Sequence, residues 1–224
     1  MPGPLLEPRG LLSRCDRVTH ALHSSERMDW RTPPWFLDLV RRSSPNGRIA
    51  LDPATHWSNP TGADLIFSPV GPGLMPAVWA GPCGLRGSWA RGPDDLRFTN
   101  PPYGDHLSGE VDPDRILYRT DKVTRVRIPT GVGTGWAARI ALDAGPGITL
   151  VPNRTETEWW GRLFHASHLI LFPDRRIPFV DAQTGKVGES PNHGSTVFYR
   201  GTRPDLFAQA FAPIGILNPG GLCP

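Results

Sequence analysis

An α/β fold with a mixed sheet is the class this sequence predicts, on three observations. Short apolar runs of strand length alternate with segments of helical periodicity, the pattern of strands joined through helices. The last apolar runs follow one another with only a polar loop between them, which calls for an antiparallel edge on the sheet. The chain has 224 residues, 38% of them hydrophobic, enough for one well-cored domain and short for two.

Residues 1–28 carry Pro, Gly, Arg and Ser among scattered leucines and read as a loosely ordered N-terminal extension. The ordered domain is expected over residues 29–212, with 213–224 as a C-terminal tail. Thr32-Pro33-Pro34 resembles a helix start, with Thr32 as N-cap and proline in the first turn. Trp35, Phe36, Leu39 and Val40 then form an apolar stripe, closed by Arg41, Arg42 and Ser43. Ile49-Ala50-Leu51-Asp52 reads as a short buried strand ending on a carboxylate. Residues 53–95 are rich in Gly and Pro without periodicity and read as loop with short elements. Leu96 to Thr99, Ile148 to Val151, Leu169 to Phe172 and Thr196 to Tyr199 read as strands. Ile177 to Val180 is a weaker fifth, expected to pair with the last of these. Trp136 to Leu142 and Thr157 to Ala166 have helical periodicity.

Composition excludes several classes. The net charge is +3 and the isoelectric point about 9.0, which permits a polyanionic partner without demanding one. Cys15, Cys83 and Cys223 are odd in number and far apart, so neither a disulfide framework nor a metal site is indicated. No apolar run approaches the length of a membrane helix, about 18 residues. Met1 to Arg14 lacks a signal-peptide pattern, and the expected setting is reducing and cytoplasmic.

Two strand tips carry residues suited to chemistry. In open α/β sheets ligands bind beyond the carboxyl ends of strands. Asp52, followed by Pro53, could accept hydrogen bonds there from an ammonium or from ribose hydroxyls; an Asp-Pro pair also serves simply to cap a loop. After Thr99 comes Asn100-Pro101-Pro102-Tyr103, which suits polarisation of an exocyclic amine whose lone pair is delocalised into a ring. The Asn100 side-chain oxygen can accept one N–H and the Pro101 carbonyl the other. Pro101 and Pro102 restrict the backbone that carries those acceptors, and Tyr103 offers a flat face to a base. Acceptors set in advance need no reorganisation during reaction. Asn before Pro-Pro also ends strands in many proteins, so a plain turn is the competing reading.

The order of motifs resembles the phage-type DNA N6-adenine methyltransferases, the Dam-like family. It runs through Asp29-Trp30-Arg31-Thr32-Pro33-Pro34, Leu51-Asp52-Pro53-Ala54 and Asn100-Pro101-Pro102-Tyr103-Gly104. It continues with Pro152-Asn153-Arg154-Thr155 and Trp159, Arg176-Ile177-Pro178-Phe179, and Ser190-Pro191 before Gly194-Ser195-Thr196. The resemblance covers Asp29 to Tyr199, roughly three quarters of the chain. It implies a Rossmann-like fold that uses S-adenosylmethionine. It places Thr32 and Pro33 in a segment contacting the methionine end of that cofactor, Asp52 with Pro53 at its first motif, and Asn100, Pro101, Pro102 and Tyr103 at the target amine. The chain departs from the pattern after Asp52, where no glycine occurs until Gly62, and no clear acid ends a second strand; Asp64 is the nearest.

The segment 105–135 is a basic insertion. Arg115, Arg119, Lys122, Arg125, Arg127 and the nearby Arg139 stand against Asp121 alone between residues 115 and 139. Arg125-Val126-Arg127 alternates like an edge strand with both cations on one face. One reading is contact with DNA phosphates, which gives affinity and register; the other is a charged guard on a strand edge. Gly131, Gly133 and Gly135 read as a flexible connection. The expected function is transfer of a methyl to N6 of adenine in double-stranded DNA after base flipping, with neither membrane nor metal as partner. Methylation of cytosine N4 or of a protein glutamine amide uses similar amine chemistry, and a silent DNA-binding protein could keep the same fold.

Overall fold

The computed structural model describes residues 30–68, 79–81, 83–120, 124–181, 184–188 and 193–222. The expected N-terminal extension and Lys122 lie outside the described residues. In chain order the first elements are β1 (Trp30–Arg31), α1 (Pro34–Arg42), β2 (Leu51–Asp52), β3 (Leu65–Phe67), β4 (Trp79–Gly81) and β5 (Arg97–Thr99). A hairpin of β6 (Asp112–Thr120) and β7 (Arg127–Thr134) follows, then α2 (Trp136–Leu142), β8 (Gly147–Pro152), α3 (Glu158–His165) and β9 (Leu169–Pro173). The chain ends with β10 (Val180–Asp181), β11 (Ser195–Arg200), α4 (Pro204–Phe211) and β12 (Gly215–Pro219).

Eight strands form the main sheet, in the order β12-β9-β11-β8-β5-β2-β3-β4. The run from β8 to β4 is parallel. Beyond it, β11 is antiparallel to both β8 and β9, and β12 is antiparallel to β9. The fold is therefore α/β with a mixed sheet and a parallel core. The chain lays down β2 first, adds β3 and β4 on one side, and then crosses to place β5 and β8 on the other. The order reverses between β2 and β5, and a crevice opens at such a switch point beyond the carboxyl ends of the two strands.

The pleat sends alternate residues to two apolar layers. On one side Ile148, Leu150, Val197 and Tyr199 pack with Phe36, Leu37 and Val40 of α1 and Phe207 and Phe211 of α4. On the other, Val151, Phe198 and Ile170 pack with Trp136 of α2 and Trp159, Trp160 and Leu163 of α3. Trp159 is thus a core residue, and Trp160 donates its indole N–H to the Thr196 hydroxyl at 3.2 Å.

The short elements expected within residues 53–95 are two parallel strands, β3 and β4. Other expectations are corrected. Thr32 does not cap α1: Pro33 is the N-cap residue, with Pro34 at the first helical position. Ile177 to Val180 does not pair with β11, both of whose edges are taken by β8 and β9. Pro178 lacks a ladder donor, and only Val180–Asp181 forms a strand, against β1. The segment expected as a tail contributes β12 to the sheet edge.

The basic insertion carries an antiparallel hairpin. Arg125 precedes β7 with a left-handed φ of 60°, so it does not alternate with Arg127 along one strand. Gly131 and Gly133 lie within β7, and Gly135 is the N-cap of α2 with φ 81°. A Cβ on Gly135 would meet the Glu110 carbonyl at 2.3 Å, so only glycine fits this crossing of the two hairpin ends.

Arg97, at the start of β5, is the buried cation of the fold. It binds the Asp143 carboxylate at 2.7 Å, the two side chains being 5% and 12% exposed. It also donates to the Gly145 carbonyl at 2.8 Å and lies 5.5 Å from the centre of the Trp89 ring. Removing one partner of such a pair strands the other's charge. Asp143→Ala is therefore expected to lower stability by about 3–5 kcal/mol, read as a shift in the urea midpoint at constant slope.

Candidate functional site

The switch point brings three predicted residues to one cavity. Asp52 is the last residue of β2, Asn100 follows the last residue of β5, and Thr32 precedes the N-cap of α1. All three line a cavity of about 90 Å³, together with Arg31, Thr55, His56 and Thr61. This is room for a handful of water-sized groups.

Asp52 is 2% exposed. Its Oδ1 accepts the Ala54 N–H at 3.0 Å, so it caps the turn after β2 and lines the cavity at once. Burial pushes its carboxyl up to about 6, while the Ala54 N–H and the hydroxyls of Thr61 and Thr55 pull the other way. Pro53 is buried behind the cavity. Its carbonyl faces Gly84, where a Cβ would sit only 2.0 Å away. Neither Pro53 nor Gly84 lines the cavity.

Asn100 is bracketed by two hydroxyls. The Tyr103 hydroxyl donates to its Oδ1 at 2.5 Å, and its Nδ2 donates to the Thr32 hydroxyl at 3.1 Å. Burial pushes the Tyr103 phenol well above its ordinary value, which keeps the hydroxyl protonated as a donor. Tyr103 is half-buried and packs against the apolar layer beneath α2 and α3. Pro101 is buried and Pro102 exposed. Among the described residues the Pro101 carbonyl accepts no hydrogen bond.

Sequence reasoning missed Arg31, which lines the cavity and whose buried Nε has no hydrogen-bond partner among the described residues. Its only signal was its place in the stretch before Thr32. Asp64 is corrected as a site residue: it precedes β3, at the opposite end of the strand from the crevice, and pairs with Arg48 at 3.1 Å.

The root of the hairpin is tied to the loop that follows Tyr103. The Gly135 N–H donates to the Ser108 carbonyl at 2.9 Å and the Ala137 N–H to that of Leu107 at 3.3 Å. The His106 ring joins them, its Nδ1 lying 2.7 Å from the Gly133 carbonyl. Arg115, Arg125 and Arg127 are exposed on the hairpin, with the Arg127 guanidinium 4.5 Å from the centre of the Tyr118 ring. Arg119 lies on β6. Arg139 turns inward instead, 4.2 Å from the Trp89 ring centre and bonded to the Gly87 carbonyl.

Among the described residues no group of His, Cys, Asp and Glu could hold a metal ion, and no helix is long and apolar enough to cross a membrane. No family model, curated protein or solved structure matches the chain.

The buried carboxylate sets a pH dependence. Below pH 3.8 Asp52 is protonated in both folded and unfolded chains; between 3.8 and about 6 the unfolded chain ionises first, and stability falls. The gap corresponds to about 3 kcal/mol. Relative to Asp52→Asn, the wild-type protein should lose about that much stability between pH 3.5 and 7.5, measured by urea denaturation of both proteins across the range.

Proposed function

We propose that this protein is a DNA methyltransferase with a Rossmann-like fold, transferring a methyl group from S-adenosylmethionine to N6 of adenine. The observation that carries the reading is the meeting of Asp52 and Asn100 in one cavity at the switch point of the sheet. A buried carboxylate and an amide acceptor there supply the two recognition tasks of the reaction.

The residues lining the cavity fit the amino-acid end of the cofactor. Its amino-acid end carries an ammonium and a carboxylate. Asp52 would take the ammonium or the ribose hydroxyls, and Arg31, with its Nε unpartnered, would take the carboxylate by a charge-assisted bond. Thr32 and Pro33 flank this end of the cavity. When bound, S-adenosylmethionine supplies an electrophilic methyl on a sulfonium.

The remaining work falls to the target site. Flipping an adenine out of the duplex costs a few kcal/mol, and stacking on Tyr103 would return about 1–3 kcal/mol. Asn100 Oδ1 has a second lone pair beyond the one used by Tyr103, so it can accept one amine hydrogen, and the Pro101 carbonyl would accept the other. These bonds turn the N6 lone pair outward for in-line attack. Asn100 and the Pro101 carbonyl would hold the amine in that orientation while bound S-adenosylmethionine supplied the methyl, and the surplus amine proton would leave to solvent. Orientation of this kind contributes a large part of the acceleration.

The exposed arginines of the hairpin favour a nucleic acid over a protein amide as substrate. Arg115, Arg125 and Arg127, with Arg119 and Lys122 of the same segment, would contact phosphate and set register rather than read sequence.

The direct test incubates the protein with labelled S-adenosylmethionine and duplex DNA, followed by digestion and identification of the nucleoside. N6-methyladenine is expected. Label on cytosine N4 would change the target, and no label in DNA would overturn the reading. Asn100→Ala should abolish transfer while calorimetry shows cofactor binding nearly unchanged; activity within a few-fold of wild type would remove Asn100 from the chemistry.

The hairpin makes a separate forecast. Each phosphate contact adds about 0.9 to the slope of log affinity against log salt. Replacing Arg125 and Arg127 together with Ala should flatten that slope by about one to two units, read from DNA binding titrations at several salt concentrations.

A further inference from the structure

Asn100 can serve as an acceptor only in one of its two orientations. The terminal torsion of an asparagine is roughly two-fold, and a flip exchanges oxygen for NH2 with little change of shape. A flipped Asn100 would present donors to an amine that itself donates. Something in the site must therefore break the symmetry.

We propose that Thr32 is a positioning residue of the base site: it holds the Asn100 nitrogen, and so keeps the Asn100 oxygen beside Tyr103 as the acceptor for the target amine. This rests on the methyl-transfer reading, and it moves Thr32 from the cofactor's methionine end to the target-amine site.

Two hydroxyls bracket the carboxamide, and each could in principle donate or accept. The distances decide. Tyr103 stands 2.5 Å from Asn100 Oδ1, which fits an O–H···O bond and is too short for N–H···O. Thr32 stands 3.1 Å from Nδ2, inside the N–H···O range. The raised Tyr103 phenol agrees, because a tyrosinate would accept from Nδ2 and force the flip.

Thr32 is well placed to anchor. It is 8% exposed, it follows a residue paired to β10, and Pro33 after it restricts its backbone to extended conformations. Tyr103 and Asn100 belong to one loop and can move together. Thr32 comes from a separate part of the chain, 68 residues away, and ties that loop to the start of α1.

The test compares Thr32→Val, which keeps the shape and loses the hydroxyl, with Thr32→Ser, which keeps the hydroxyl. Cofactor Kd is measured by calorimetry, and kcat and KM with labelled S-adenosylmethionine and unmethylated duplex DNA. Thr32→Val is expected to lower kcat by about tenfold or more, with cofactor Kd and the KM for DNA within about threefold of wild type. Thr32→Ser should restore most of kcat. Tyr103→Phe, removing the other hydroxyl, should lower kcat in the same way and leave cofactor Kd unmoved, which provides an answer should Thr32→Val fail to fold. A raised cofactor Kd with unchanged kcat in Thr32→Val would return Thr32 to the cofactor and overturn the proposal. A Thr32→Ser protein as defective as Thr32→Val would reduce Thr32 to packing and overturn it as well. An active wild type with either result overturns this proposal alone, whereas a wild type that transfers no methyl overturns the reading beneath it too.

Discussion

The parallel pairing of β2 with β5 is the constraint on which the rest of the site depends. Adjacent strands lie about 4.8 Å apart, so pairing Leu51 with Arg97 brings Asp52 and Asn100 to the same end of two neighbouring strands. Asp52 and Asn100 are far apart in sequence, and nothing local would bring them together. β2 itself is only two residues long and is held from both edges, by β3 and by β5. Its position therefore depends on its neighbours, and on the Arg97–Asp143 pair that fixes the opposite end of β5.

That dependence explains what could be read from the chain. The longer strands β8, β9 and β11 were legible because each runs through both apolar layers and so shows a continuous hydrophobic run. Helices α2 and α3 were legible because their packed residues recur at helical spacing, Trp136, Ala137 and Ile140 in the first and Trp159, Trp160 and Leu163 in the second. β3 and β4 were legible only as short elements, since they lie in a stretch where Gly and Pro interrupt any period. The pairing of β10 was misjudged for another reason: competition for the edges of β11 is a property of the whole sheet and is written in no single segment.

The candidate site was legible in its strand-tip residues and illegible in its connections. Asp52 and Asn100 announced themselves by following apolar runs. Arg31 did not, because its place in the wall of the cavity is a tertiary fact that no neighbouring residue in the sequence signals. The role of Gly84 was equally hidden: its close approach to Pro53 is a tertiary contact that a search for glycines adjacent to Asp52 could not find. The bond from Asn100 to Thr32 overturned the cap expected of Thr32, whose hydroxyl is engaged across the crevice instead.

The clamp at the hairpin root has a consequence for how this molecule can change. Because Ser108, Leu107 and His106 hold the two ends of the hairpin at fixed points, the ribbon beyond them behaves as a cantilever: its length can vary while its mounting does not. Adding residues in pairs to both strands would preserve which side chains face each way, since the alternation repeats every two; adding one would turn every outward arginine beyond it to the other face. Evolution or an engineer can thus alter the reach of the basic arm in steps of about 6.6 Å without disturbing the acceptor loop at its base. The glycine at the mounting, hemmed in by the Glu110 carbonyl, is a position that such remodelling must leave alone.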